Sequence, residues 1–271
     1  MRNAGSNRPL VMGVLNVTPD SFSDGGRYLA TEAAVAHGLD MVAAGADIVD
    51  VGGESTRPGA EPVDEAEELA RVVPVVEALS GRVRVSIDTV KPAVAAAALV
   101  AGATLVNDTT ASLWEVAGAR GAGWVAMHMQ GTPPTMQTAP HYDDVVTEVF
   151  DFVLERARVA LAAGVDEVWV DPGIGFGKTL AHNLSLLRHV PELVAAATDL
   201  GCAGVLVGTS RKYFLGLLAA TAPGGEPAGV EDRQEGSLAT AAAAMVAGAA
   251  MVRVHDVAPT VQAARLYRPA A

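Results

Sequence analysis

Four segments of the chain share one grammar: "AAGADIVDVGG" (43–53), "VAGATLVNDTT" (100–110), "AAGVDEVWVDPG" (162–173) and "VAGAAMVRVHD" (246–256). In each, an alanine-rich helical stretch stops at a glycine (Gly45, Gly102, Gly164 or Gly248) and an apolar strand begins a few residues later. Glycine just past a helix end accepts the left-handed conformation found there. Four further strands fit between the repeats: "LVMGVLN", "VRVSID", "GWVAMH" and "AGVLVGTS". Helical patterning falls at 31–44, 64–79, 91–101, 142–163, 182–197 and 235–247. Strands alternating with helices imply a parallel sheet. Eight such units in 271 residues predict an α/β protein, a (β/α)8 TIM barrel, with 1–271 as one domain. A doubly wound open sheet is the alternative. No linker splits the chain, and "TAPGGEPAGVED" (221–232) reads as a surface loop after the seventh strand.

Composition narrows the function classes. Half the residues are hydrophobic and only 18% are charged, enough for a large core. The formal net charge of −12 argues against broad nucleic-acid binding, which favours basic surfaces, but leaves room for a local anion site. The single cysteine, Cys202, excludes an intramolecular disulfide, and nothing suggests a zinc cluster. The N-terminal "MRNAGSNRPL" lacks the apolar core of a signal peptide, and no run is long and clean enough for a membrane span. A soluble cytoplasmic protein is the expectation.

The polar residues gather where a barrel would use them. Strands end in Asn16, Asp88, Asn107–Asp108, His128, Asp171, Thr209–Ser210 and His255–Asp256. The C-terminal strand ends form the active face of such barrels. Any strand ends in something polar, but generic turn residues would not account for Asp88, Asp171, Arg253 and His255 on otherwise apolar strands. Arg253 and His255 are two apart in "MVRVHD", so strand alternation points both to one face. Two carboxylates and the Asn107 amide converging on a barrel mouth can hydrogen-bond a flat heterocycle with amino, lactam and ring N–H groups. A metal pair would more usually bring histidines at nearby strand ends, and only His128 and His255 qualify. A glycosidase carboxylate pair would normally bring more aromatic platforms than a chain with 4% aromatics has. "DPGIGFGKT" is not a P-loop, because Pro172 stands where that pattern needs glycine and Asp171 would repel phosphate. Ser210, Arg211 and Lys212 follow the seventh strand, a common phosphate-binding location. Lys212, Arg253 and His255 could together bind a phosphate or diphosphate, while a Schiff-base role for a desolvated Lys212 stays open. Two turn-rich loops, "LNVTPDSFSDGGRY" (15–28) and "GGESTRPGAEPV" (52–63), are placed to act as lids; alone, Arg57 would read as an ordinary loop arginine.

The motifs taken in order resemble those of bacterial dihydropteroate synthases over nearly the whole chain. They are "GVLNVTPDSFSDGG", "DIVDVGGESTRPGA", "SIDT", "ND", "MHMQGTPPTMQ", "DPGIGFGK", "GTSRK", "EGSLAT" and "RVHDV". No one of them is decisive; their order and combination are. The alanine richness is similar to actinobacterial members. The resemblance implies condensation of (7,8-dihydropterin-6-yl)methyl diphosphate with p-aminobenzoate to give dihydropteroate and diphosphate. It implies a pterin pocket at Asp88, Asn107, Asp171 and Lys212, with Met127 and Phe176 packing on the ring. Arg253 and His255 match a diphosphate-binding pair, and Asn16 a ligand of Mg²⁺ held with the diphosphate. Thr56, Arg57, Pro58 and Phe22 match the loops that complete the p-aminobenzoate site, where sulfonamides would compete, and Ser210 lies near it. A homodimer is the family's usual state.

The resemblance further implies an SN1-like path in which diphosphate leaves first and carboxylates, chiefly Asp88, stabilise the cationic pterin methylene. An arylamine is neutral at pH 7 and needs no strong base, and closed loops would keep water from the cation. Two other readings share the pocket. A pterin-binding methyltransferase would not need "TPDSF", "STRPG" and "RVH", all present here. A non-catalytic paralogue should show losses in the loops or the anion pair, and none is seen.

Overall fold

The computed structural model describes residues 8–18, 26–55, 60–220 and 225–267, with backbone alone at 26–29. Eight parallel strands close into a barrel in sequence order. They are β1 (Leu10–Asn16), β2 (Ile48–Gly52), β3 (Arg84–Asp88), β4 (Leu105–Asp108), β5 (Gly123–Met127), β6 (Val168–Asp171), β7 (Gly204–Val207) and β8 (Met251–Val254). The pairing of β8 with β1, Leu10 against Met251, closes the ring and decides against the open sheet. The helices are α1 (Gly26–Ala43), α2 (Glu65–Leu79), α3 (Pro92–Val100), α4 (Trp114–Gly118), α5 (Val145–Ala162), α6 (Leu180–Arg188), α7 (Val190–Leu200), α8 (Tyr213–Leu218), α9 (Gln234–Val246) and α10 (Val257–Leu266).

The repeated glycines act as the sequence predicts. Gly45, Gly102, Gly164 and Gly248 have φ of 98°, 112°, 90° and 97°. In each case the next residue's N–H reaches back five residues: Ala46 to Met41, Ala103 to Ala98, Val165 to Ala160 and Ala249 to Ala244, at 2.9–3.0 Å. These bonds satisfy carbonyls that a helix end would otherwise leave orphaned. Each helix therefore turns back onto the sheet at a fixed angle and delivers the chain to the start of the next strand.

Three helices, α4, α8 and α10, lie outside the patterned segments, and the predicted helix 182–197 is two. The break falls at His189 (φ −101°, ψ 14°), with Pro191 in the first turn of α7. Proline fits that position because the N–H it lacks would have no partner there.

Strand alternation divides the core in two. Outward residues such as Val11, Val49, Val85, Val106, Trp124, Val170, Val205 and Val252 pack under the helices. Met12, Ile48, Leu105, Val125, Trp169, Leu206 and Met251 form a separate apolar floor inside the barrel. Two residues further along the strands, the inward positions become Asp50, Asn107, Met127, Asp171 and Arg253, and Asp88 ends β3. This step from apolar floor to polar mouth positions the site.

Candidate active site at the barrel mouth

Arg253 sits at the centre of the mouth. Its Nε donates to Asp50 Oδ2 at 2.6 Å and its NH2 to Asp88 Oδ2 at 2.6 Å. Burial opposes the guanidinium's charge, but Asp50 and Asp88 outweigh it and hold Arg253 above its ordinary value. Asn107, from β4, donates from Nδ2 to the same Asp50 Oδ2 at 2.9 Å. One fully buried carboxylate thus orients both a cation and an amide.

The Asp88 side chain is only 11% exposed, and burial raises its carboxyl from 3.8 to about 7. Arg253 pulls the other way; Asp50, Glu68 and Asp108 add to the rise. Asp171, at the end of β6, is raised by burial against the pull of Lys212. Its Oδ1 accepts from the Gly173 N–H at 2.7 Å. Gly173 can make that turn because its φ is 65°; a Cβ there would lie 1.8 Å from the His128 carbonyl oxygen.

Lys212 lies just before α8. Its Nζ donates to the Ile174 carbonyl and stands 4.4 Å over the Phe176 ring, a cation–π contact. Burial lowers the ammonium to about 8. Gly208 leaves room between the cations: a Cβ there would sit 3.5 Å from Arg253 Cβ and 3.9 Å from Lys212 Nζ. Gly52 does the same opposite, where a Cβ would lie 3.7 Å from Asp88 Oδ2 and 3.8 Å from Asn16 Oδ1.

Ser210 and His255 meet one another. Ser210 Oγ accepts from the His255 N–H at 3.1 Å and lies 3.0 Å from its Nδ1. Arg211 is turned away from Lys212: at φ 59° it forks onto Asp256 through Nε (3.2 Å) and NH2 (2.8 Å). Met127 ends β5 opposite Asp171 in the register. The mouth therefore gathers Asn16, Asp88, Asn107, Met127, Asp171, Phe176, Lys212 and Arg253, with the Ser210–His255 pair beside Arg253 on the chain. Phe22, Thr56, Arg57 and Pro58 lie outside the described residues.

Two features were not singled out from sequence. Asp50 stands in the middle of "IVDVG", a wholly buried strand, and the parity argument that marks Arg253 would also have marked it. The other is a buried pair, Lys178 and His128, with Nζ 3.0 Å from Nδ1. Lys178 also donates to the carbonyls of His128 (3.3 Å) and Phe176 (3.0 Å). It ties the end of β5 to the loop carrying Phe176. Burial lowers Lys178 to about 7 and His128 to about 3, with Lys178 adding to the fall at His128.

The sequence matches the family described as "Pterin binding enzyme" over residues 12–255. The dihydropteroate synthase of Mycobacterium leprae is 48% identical over 269 residues, covering 94% of this chain and 91% of that protein. The Xanthomonas albilineans dihydropteroate synthase solved with 4-aminobenzoic acid superposes with a TM-score of 0.85 at 46% identity, over 96% of this chain and 92% of that one. The same organism's enzyme in complex with 7,8-dihydropteroate gives a TM-score of 0.81 at 43% identity, over 96% and 92%. With its closed parallel barrel and its ring of carboxylate, amide and cationic groups at the strand ends, this chain belongs to the dihydropteroate synthase family of pterin-binding enzymes.

Proposed function

We propose that the chain condenses (7,8-dihydropterin-6-yl)methyl diphosphate with p-aminobenzoate, giving 7,8-dihydropteroate and diphosphate for folate synthesis. The observation that carries this is the convergence of Asp88, Asn107 and Asp171 with Lys212 and Arg253 at one strand-end mouth. Carboxylates that accept from adjacent N–H groups, with an amide that both donates and accepts, suit an aminopyrimidinone edge. Met127 and Phe176 supply apolar surface for its faces.

In the proposed reaction the methylene C–O bond breaks and a C–N bond to the arylamine forms. The electron pair leaves with the diphosphate, and the arylamine proton is lost after attack. The carboxylates face charge that develops as the bond breaks, so they favour the transition state over the bound substrate. Arg253 and His255 receive the diphosphate. Loop residues Phe22, Thr56, Arg57 and Pro58 complete the arylamine site with Ser210 nearby, and sulfonamides compete there.

Among the described residues no group of three or more His, Cys, Asp or Glu side chains could hold a metal ion. Around Gly52, by contrast, a neutral hard donor, Asn16 Oδ1, and the Asp88 carboxylate lie 3.8 Å and 3.7 Å from where a Cβ would stand. That donor set suits Mg²⁺ held by Asn16 together with substrate phosphate oxygens, where it would neutralise charge on the leaving group. A homodimer working in the cytoplasm completes the proposal; no described helix is long and apolar enough to cross a membrane.

The test is diphosphate release by the purified protein with Mg²⁺. Release that requires both substrates, with one dihydropteroate formed per diphosphate, is the expected result. A folded protein that binds the pterin yet releases no diphosphate when both are present overturns the proposal.

A further inference from the structure

Asp50 is fully buried on β2, two residues before Gly52, which pairs with Asp88 in the register. Its Oδ2 takes two strong hydrogen bonds at once, from Asn107 Nδ2 at 2.9 Å and Arg253 Nε at 2.6 Å. Its Oδ1 has no partner among the described residues, and neither has Ser86 Oγ, which stands beside it in the β2–β3 register. A carboxylate in this state is expensive to bury, and an apolar centre in which Arg253 and Asn107 were replaced along with it would avoid that cost. Structural economy therefore does not explain it.

Its geometry does. Because Asn107 gives an N–H to Asp50, the amide is locked with Oδ1 turned from Asp50, so it offers an acceptor elsewhere. Because Arg253 is shared between two carboxylates, its charge does not fully neutralise Asp88. The centre then holds three carboxylates (Asp50, Asp88, Asp171) against two cations (Lys212, Arg253).

We propose that Asp50 is a positioning residue of the reaction, acting through Asn107 and Arg253 to keep the barrel mouth net negative as a cationic pterin methylene forms. This rests on the condensation proposed above, deepening it to a residue that touches neither substrate.

The test is Asp50→Asn, isosteric and uncharged, with Asp50→Ser as a smaller variant that leaves room for water. With both substrates and Mg²⁺, kcat should fall by about 10- to 100-fold, the scale for one preorganised electrostatic group. KM for p-aminobenzoate and calorimetric affinity for a pterin lacking diphosphate should change by less than about threefold. The acid limb of the kcat profile should also move to lower pH. Asp88 is faced by Arg253, Asp50, Glu68 and Asp108, and it lies in the field of Lys212. Removing one negative neighbour while Arg253 turns more fully to Asp88 lowers the pH at which Asp88 ionises. A purely structural role would instead lower kcat and pterin affinity together.

Wild-type kcat with either variant, equal losses in kcat and pterin affinity, an unmoved acid limb, or failure of both variants to fold would each overturn the proposal. An inactive wild-type protein would instead overturn the condensation itself, so the two failures are distinguishable.

Discussion

Replacing Asp88 by asparagine separates what the carboxylate costs the fold from what it does for the reaction. Burial, opposed by Arg253, raises Asp88 from 3.8 to about 7. The native state thus keeps this proton to about pH 7, whereas the unfolded chain releases it near pH 4. Between those values the native state binds the extra proton, so this group's contribution to stability falls as pH rises. Each pH unit is worth about 1.4 kcal/mol, and a change from pH 5 to pH 8 crosses roughly two units of the window, about 3 kcal/mol. The asparagine amide would keep the shape without the charge and escape that slope. Asp88→Asn should therefore gain about 3 kcal/mol relative to wild type between pH 5 and pH 8, while kcat drops by about 10²- to 10³-fold. Urea unfolding of both proteins at the two pH values reads the difference, and Lys212, which loses the support of the Asp88 charge in the variant, shifts it in the same direction. An offset that is the same at both pH values, or that grows in the opposite direction, refutes the idea that the mouth holds a carboxylate against its own burial.

Two further perturbations probe the loop that carries Phe176. Gly173→Ala should cost about 1–2 kcal/mol from the left-handed backbone alone and more from contact with the His128 carbonyl; it should also weaken pterin binding, because the shifted turn moves the N–H that orients Asp171. An unchanged melting temperature with unchanged pterin affinity would contradict this. Lys178→Met tests the buried lysine. Native Lys178 loses its proton near 7, well below the ordinary 10.5, so wild-type stability gains from this group as pH rises through that interval. Unfolding at pH 7 and pH 9.5 should show the wild type gaining on the variant at the higher pH; a constant difference counts against a strained ammonium.

The architecture was legible because its punctuation is physical. Gly45, Gly102, Gly164 and Gly248 occupy positions where other residues would be strained, so the helix ends could be read directly. Strand parity placed Arg253 and His255 on one face, and the barrel makes the face that carries Arg253 the inner one. Asp50 shares that parity but sits inside a strand, not at its end, where a lone carboxylate among apolar neighbours gives no terminal signal. The Lys178–His128 pair was hidden for another reason: its members are fifty residues apart and meet only because β5 and β6 are neighbours. Helices α4 and α8, at 5 and 6 residues, are too short to show a period. The division of 182–197 into α6 and α7 was written in Pro191, which the apolar pattern overrode.

Arg253's pairing also refines what parity implied. The guanidinium does not stand free for an anion; two of its nitrogens are engaged by Asp50 and Asp88. Arriving diphosphate would compete with or extend that arrangement, and a departing diphosphate would leave the carboxylates facing the cation it created.

The cation-stabilising role proposed for the carboxylates of the mouth depends on a cation that forms before the arylamine attacks. The single-turnover rate with saturating p-aminobenzoate analogues of graded amine basicity reads that order of events. Ionisation ahead of attack predicts a rate that stays flat across the series. A rate that climbs steeply with amine basicity would place the amine in the bond-breaking step and contradict a cation-stabilising mouth.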